Sequence, residues 1–205
     1  GVSRSQAVNA GLFSADYKAS LAVVQTAEGN KIVLPLTKNW EAQRAVIEKP
    51  AVKPNGGALV AGLELAASAL PLSKDGTKRD GNIVILSDGT IDDDPSAVTA
   101  EAQKLKEQGI SVKVIVPGTE AGTYTLSDGS APVKAGANPS RFAGFGVDNI
   151  VATNDVNKIE AAVRSAVEAS GSTSEQHPWN VPLYAGIGLL AAGFVMNQYQ
   201  RTKRV

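Results

Sequence analysis

The residues in this chain that could do chemistry are few, and they are acidic or hydroxylic. Asp88 stands in Ser87-Asp88-Gly89, directly after the apolar run Ile83-Val84-Ile85-Leu86. A run of that kind bounded by turn residues reads as a parallel strand covered on both faces. Ligands on open α/β sheets collect at the carboxyl ends of such strands, so Asp88 is placed where a carboxylate could hold a metal or move a proton. Asp92-Asp93-Asp94-Pro95 follows. It reads as a solvated capping loop with proline at the first helical position. Ser3 and Ser5 are the hydroxyls of interest near the start of the chain, as metal ligands or as caps of an N-terminal helix. There is one histidine, His177, and no cysteine. A histidine-based triad or a multi-histidine metal site therefore has almost no material, and disulfides, zinc–thiolate sites and thiol catalysis are excluded.

Several enzyme motifs fail at a defining residue. Leu86-Ser87-Asp88-Gly89-Thr90-Ile91 superficially resembles the phosphatase motif of the haloacid dehalogenase superfamily. The nucleophilic aspartate of that motif is here Leu86, which cannot form an acyl phosphate. No Gly-x-x-x-x-Gly-Lys-Ser/Thr loop is present, and Gly144-Phe145-Gly146 lacks the third glycine and the preceding strand of a dinucleotide fingerprint. Asn138-Pro139-Ser140 fails as a glycosylation acceptor because of its proline. Lys+Arg and Asp+Glu balance at 20 each, so there is no basic excess to attract nucleic acid.

The elements that must position these residues are legible from periodicity. Residues 4–14 read as a short helix with Ala7, Val8, Leu12 and Phe13 on one side. Residues 18–26 and 31–34 read as a hairpin across Glu28-Gly29-Asn30. A helix is expected at about 39–48, and another over 58–70 with the stripe Leu59, Leu63, Ala66 and Leu70. After the Asp88 strand come a helix ended by Gly109 and a second strand, Ile110–Val116. Thr123 to Lys134 suggests an inserted hairpin, Asn149–Thr153 a last short strand, and Val156, Ile159, Val163 and Val167 the inner face of a final helix closed by Gly171. Alternating strands and helices with one hairpin predict an α/β domain, a mostly parallel sheet flanked by helices.

Trp179 to Tyr199 contains no charged residue. About 20 such residues span a bilayer core, and Trp179, Tyr184 and Tyr199 suit its interfaces. The expected organisation is a soluble domain over residues 1–170, a linker at 171–178, a transmembrane helix at 179–199 and a basic tail at 200–205. Arg201, Lys203 and Arg204 follow the apolar segment, so the positive-inside rule puts the tail in the cytoplasm and the domain on the other side. Export of such a domain needs a signal or an upstream membrane helix. Neither is visible here, so the N-terminus is expected to be processed, or the sequence to begin partway through a longer protein.

Three features, taken in order, resemble the von Willebrand factor A (VWA) fold, a Rossmann-like sandwich. They are Ala22-Val23-Val24-Gln25 with its hairpin and Leu34-Pro35-Leu36-Thr37, then Gly56-Gly57-Ala58 opening a helix, then Ile83-to-Gly89 followed by helix, Gly109-Ile110 and strand. With the C-terminal apolar segment, the set is similar to the membrane-anchored bacterial Bat (aerotolerance) proteins and relatives encoded beside MoxR-type AAA+ ATPases. The resemblance implies a Mg²⁺ site, the metal-ion-dependent adhesion site, built from Asp-x-Ser-x-Ser, a threonine at a helix start and a later aspartate. Hard cations want several oxygens at near-octahedral positions. Carried onto this sequence, the metal residues are Ser3, Ser5 and Asp88, while Gly1 replaces the first aspartate and Ala58 the threonine. The site is thus expected to be degenerate, binding no cofactor or Mg²⁺ only weakly. The strand that precedes the first motif in VWA domains, at mid-sheet, is missing from the start of this sequence. Upstream residues or another chain are expected to supply it, because buried ladder groups cannot stay unpaired.

The expected function is non-enzymatic: a membrane-anchored VWA-like interaction domain on the periplasmic side of a bacterial inner membrane, serving assembly, maturation or scaffolding of a protein complex. Its implied partners are other proteins, membrane-anchored VWA relatives or a MoxR-type AAA+ system, and the membrane itself. The alternative is a structural subunit of a larger membrane complex. A metal-dependent hydrolase using Asp88 is third.

Overall fold

The computed structural model describes residues 6–8, 10, 20–26, 29–48, 58–73, 75–87, 89, 91–117, 123–124, 133–134, 138–172 and 186–191. The strands are β1 (Ser20–Gln25), β2 (Lys31–Thr37), β3 (Gly81–Leu86), β4 (Ser111–Val116), β5 (Thr123–Tyr124), β6 (Val133–Lys134), β7 (Ile150–Ala152) and β8 (Gly186–Ala191). The helices are α1 (Trp40–Glu48), α2 (Leu59–Ala69), α3 (Pro95–Glu107) and α4 (Val156–Ser172), with a 3₁₀ segment at Pro139–Phe145. Residues 6–8 are also helical, and Ala7 and Val8 are buried as their spacing predicts.

Six strands form one sheet in the order β2-β1-β8-β3-β4-β7. Every neighbouring pair from β1 to β7 is parallel, and the antiparallel β2 closes one edge. The β1–β2 register shifts between Leu21 and Val23, opposite Pro35 and Leu36. Proline has no donor for a ladder, and an irregular edge strand is where one is tolerated. β5 and β6 pair as a separate two-stranded hairpin, as expected.

Alternation along the inner strands sends side chains to two cores. Val24, Ile83, Ile85, Val112, Val114 and Val116 meet α2, α3 and the 3₁₀ segment on one face. Leu21, Val23, Val84 and Ile115 meet Ala7, Val8, Ile47 of α1, and Ile159, Val163 and Val167 of α4 on the other. Both faces are covered, which is why β3 and β4 read as unbroken apolar runs. Fully burying one such aliphatic side chain contributes about 1.5–3 kcal/mol. Asn82 is the polar exception in β3: buried, it donates from Nδ2 to Ala166 O at 2.8 Å and ties the strand to α4. α4 runs on through Gly171 to Ser172, one residue past the expected stop.

The centre of the sheet departs from expectation. Gly186–Ala191, inside the segment expected to be a transmembrane helix, is the strand β8 between β1 and β3. Among the described residues no helix is long and apolar enough to cross a membrane. The slot expected to need an upstream segment or another chain is therefore filled from the C-terminal part of this same chain. A short charge-free apolar run does not distinguish buried strand from membrane helix by periodicity, and β1 and β3 without a neighbour leave two rows of backbone groups unpaired. Residues 179–185 and 192–199, the rest of the expected span, lie outside the described residues.

Candidate functional site

The parallel strands all end on one edge, at Gln25-Thr26, Ser87, Pro117 and Thr153, where α2 and α3 begin. Of the residues expected to bind metal, Ser3, Ser5 and Asp88 all lie outside the described residues. The residues on either side of Asp88 are described, and there the polar groups have internal partners. Ser87 is buried; its N–H donates to Ile115 O at 3.1 Å, and its Oγ accepts from Gly89 N at 3.2 Å. Gly89 has φ +87°, and a Cβ there would lie 2.5 Å from Asn138 O. The turn after β3 thus packs directly on the backbone that leads into the 3₁₀ segment, and glycine is required by both its conformation and its space.

The acidic loop divides its work between two helices. Asp94 caps α3 as expected, accepting from Ser96 N at 2.8 Å and from Ser96 Oγ at 2.6 Å. Those bonds, the hydroxyl's first, hold its carboxyl below the ordinary aspartate range, with Arg141 adding a weaker attraction. Asp93 instead reaches α2: its Oδ2 accepts from Val60 N at 3.2 Å. The α2 N-cap, Ala58, has no side chain to offer, so a carboxylate from the neighbouring loop satisfies a free N–H and complements the positive end of the helix. The Asn30 side chain, in the orientation that satisfies its surroundings, donates to Ala58 O at 3.1 Å and to Thr26 O at 3.3 Å. The β1–β2 turn, the start of α2 and the loop after β3 are thereby tied into one rigid corner.

Asn30 and Asn138 are the residues here that sequence reading passes over. Asn30 looks like ordinary turn chemistry, and Asn138 stands out only as a failed glycosylation acceptor. Nothing in the sequence signals that the one braces α2 and the other packs on Gly89, because both contacts cross between distant segments. Among the described residues no group of three or more His, Cys, Asp or Glu is placed to hold a metal ion.

No protein-family model matches the chain, and no curated protein matches its sequence. Solved structures do match its fold. An aerotolerance-related membrane protein from Bacteroides fragilis superposes with a TM-score of 0.65 at 16% identity, over 81% of this chain and 87% of that one. BatB from Bacteroides thetaiotaomicron gives 0.64 at 16% identity, over 82% and 87%. The SpRpn10 VWA domain gives 0.51 at 13% identity, over 76% and 78%. This chain has a VWA-like fold. At these identities the similarity is one of fold, and it agrees with the α/β architecture and parallel sheet expected from the sequence. In a VWA-like frame the corner formed by Asn30, Ala58, Ser87, Gly89 and Asp93 lies at the sheet edge where the sequence places Asp88.

Proposed function

We propose that the chain is a non-enzymatic, membrane-anchored VWA-like domain that docks other proteins at the carboxyl edge of its sheet, in the assembly or maturation of a membrane protein complex. The observation that carries this reading is the braced corner. Asp93 and Asn30 spend hydrogen bonds on holding the β1–β2 turn, the start of α2 and the loop after β3 together, while buried Ser87 closes its own turn on Gly89, which gives a braced edge rather than a set of free ligands. VWA-like neighbours named as an aerotolerance-related membrane protein and as BatB support a role beside the membrane. The charge-free stretch from Trp179 to Tyr199 and the basic residues after it support an anchor with the domain on the periplasmic side.

The donor set fits a strong Mg²⁺ site poorly. Ala58 offers no side-chain oxygen at the start of α2, and Asp93, whose carboxylate reaches that helix start, already accepts from Val60 N. Ser3, Ser5 and Asp88 are the residues that would hold a weak ion, whose chemistry would be to share a carboxylate with a partner. Isothermal titration with Mg²⁺ and Mn²⁺ is expected to give a Kd no tighter than about 1 mM. Micromolar binding lost in Asp88→Ala would refute the degenerate site. Native pull-down from membranes tests the role: substoichiometric capture of a client supports assembly or maturation, whereas a permanent stoichiometric complex would make the chain a structural subunit.

A further inference from the structure

Position 101 is where the sequence and the core of α3 disagree. Val98, Glu101, Ala102 and Leu105 share the inward face of that helix, and the other three are ordinary core residues. Glu101 is buried with them, a place carboxylates take only with partners. Lys104, one turn on, sets its ammonium 3.2 Å from Glu101 Oε2 and 2.8 Å from Glu64 Oε1 of α2. Two carboxylates thus share a single positive charge. The ammonium engages one oxygen of each, and Glu101 Oε1, enclosed by the fold, has no donor. A buried carboxylate oxygen in that position is short of a positive partner.

The side chains of Lys104 and Glu64 are half-exposed, so the lysine head can swing into water on its flexible stem without disturbing the core. Its departure leaves two carboxylates on neighbouring helices, one buried and one facing solvent. Ca²⁺ suits such a pair: it takes carboxylates in mono- or bidentate mode, tolerates irregular geometry and completes its shell with water. Mg²⁺ demands near-octahedral geometry and dehydrates reluctantly. We infer that Glu64 and Glu101 form a low-affinity Ca²⁺ site at the α2–α3 junction, for which the Lys104 ammonium competes. Glu101 binds through both oxygens, which gives Oε1 its missing partner, and Glu64 closes the site from the solvent side. The ion clamps α2 to α3 about 8 Å along the one helix and about 9 Å along the other from the carboxyl edge, well away from the turn that carries position 88. With two protein carboxylates and a resident lysine to displace, the expected Kd is about 1 mM, as in extracellular calcium modules.

The test titrates the full chain with CaCl₂, against MgCl₂ and NaCl of equal ionic strength. It reads the thermal midpoint and the amide resonances of Glu64, Glu101 and Lys104. At about 10 mM Ca²⁺ the midpoint is expected to rise by roughly 3–6 °C, with resonance shifts that saturate at a Kd of about 1 mM. MgCl₂ and NaCl should leave those three resonances in place. Lys104→Met removes the competing charge and should tighten Ca²⁺ binding about tenfold, whereas Glu64→Gln, at an exposed position, should weaken it about tenfold. Glu101→Met keeps the junction packed and should abolish the response. Absence of a saturable response in both the wild type and Lys104→Met would overturn the site, as would a response that NaCl reproduces. A response lost in Asp88→Ala but kept in Glu64→Gln and Glu101→Met would put the ion at the carboxyl edge, overturning this site and leaving the docking reading untouched.

Discussion

At the residue scale, two glycines with the same backbone angle separate conformation from packing. Gly29 and Gly89 both have φ +87°, but a Cβ at Gly29 would meet nothing within 4 Å, whereas one at Gly89 would run into the Asn138 backbone. Gly29→Ala is expected to cost about 1 kcal/mol of unfolding free energy, the conformational penalty alone. Gly89→Ala should cost at least about 2 kcal/mol more, since backbone cannot move aside as a flexible side chain can. Urea denaturation of the two variants measures the difference, and equal costs would show that the turn after β3 yields freely.

Asp75 gives a pH signature on the same scale. Its Oδ1 accepts from Ser73 Oγ at 2.6 Å and from Thr77 N at 3.0 Å, and these bonds, Ser73's first, hold its pKa at about 2, down from 3.8. A carboxylate depressed in the folded state stabilises the fold fully above its unfolded value, and that contribution fades as pH falls through the folded one. The loss therefore falls between about pH 4 and pH 2. Asp75→Asn should lower the thermal midpoint at pH 6 and converge on the wild type at pH 2, and a constant gap across that range would contradict the assignment. The turn is solvent-exposed, so the gap will be small and will shrink with salt.

At the scale of elements, the α2–α3 junction contains a buried charge that only its neighbours make tolerable. Glu101 on α3 is 5% exposed, and its Oε1 has no hydrogen-bond partner. Its Oε2 accepts from Lys104 Nζ at 3.2 Å, and the same ammonium reaches Glu64 of α2 at 2.8 Å. Those two carboxylates, Glu64 first, raise the lysine's pKa. Lys104 is half-exposed, so only the glutamate is buried; removing the lysine leaves that carboxylate uncompensated, whereas replacing the glutamate with an apolar group removes the problem. Lys104→Ala is therefore expected to destabilise, and Glu101→Met to be neutral or stabilising. Thermal midpoints of both check it, and the reverse order would show that Glu101 is well solvated in solution. The helix ends tell a similar story: α2 has no side-chain cap at its start and borrows Asp93 there, and at its end, beyond the Leu70 N–H bond to Ala67 O, Arg79 donates to Leu70 O at 2.7 Å.

For the molecule as a whole, the sheet is the common wall of two cores. Leu63 is fully buried on the α2–α3 side and Val163 on the α4 side. Leu63→Ala is expected to cost about 2–5 kcal/mol. Val163→Ala should also destabilise, and the double variant should equal the sum within about 0.5 kcal/mol because the two side chains belong to separate cores. One denaturation curve, superimposable by circular dichroism and by fluorescence, should describe each variant. Two separated transitions would mean that the faces unfold independently despite their shared strands.

The sequence by itself determined the local elements. The Ile83–Leu86 strand, the Asp94-Pro95 helix start, the Leu59-Leu63-Ala66-Leu70 stripe and the β1–β2 hairpin follow from periodicity, capping and turn chemistry, which act over a few residues and leave their mark in order. From these the α/β class was legible, and the ordered features pointed to a VWA-like fold. Tertiary structure decided what distant segments do for one another: that Asp93 serves α2 rather than α3, that Asn138 forces glycine at position 89, and that Gly186–Ala191 completes the sheet. The reason is the same in each case. A hydrogen-bond acceptor, a steric wall or an unpaired strand edge is a demand made by one part of the chain and met by another. Local pattern records what a segment can be, and only the assembled fold chooses among the partners that could satisfy it.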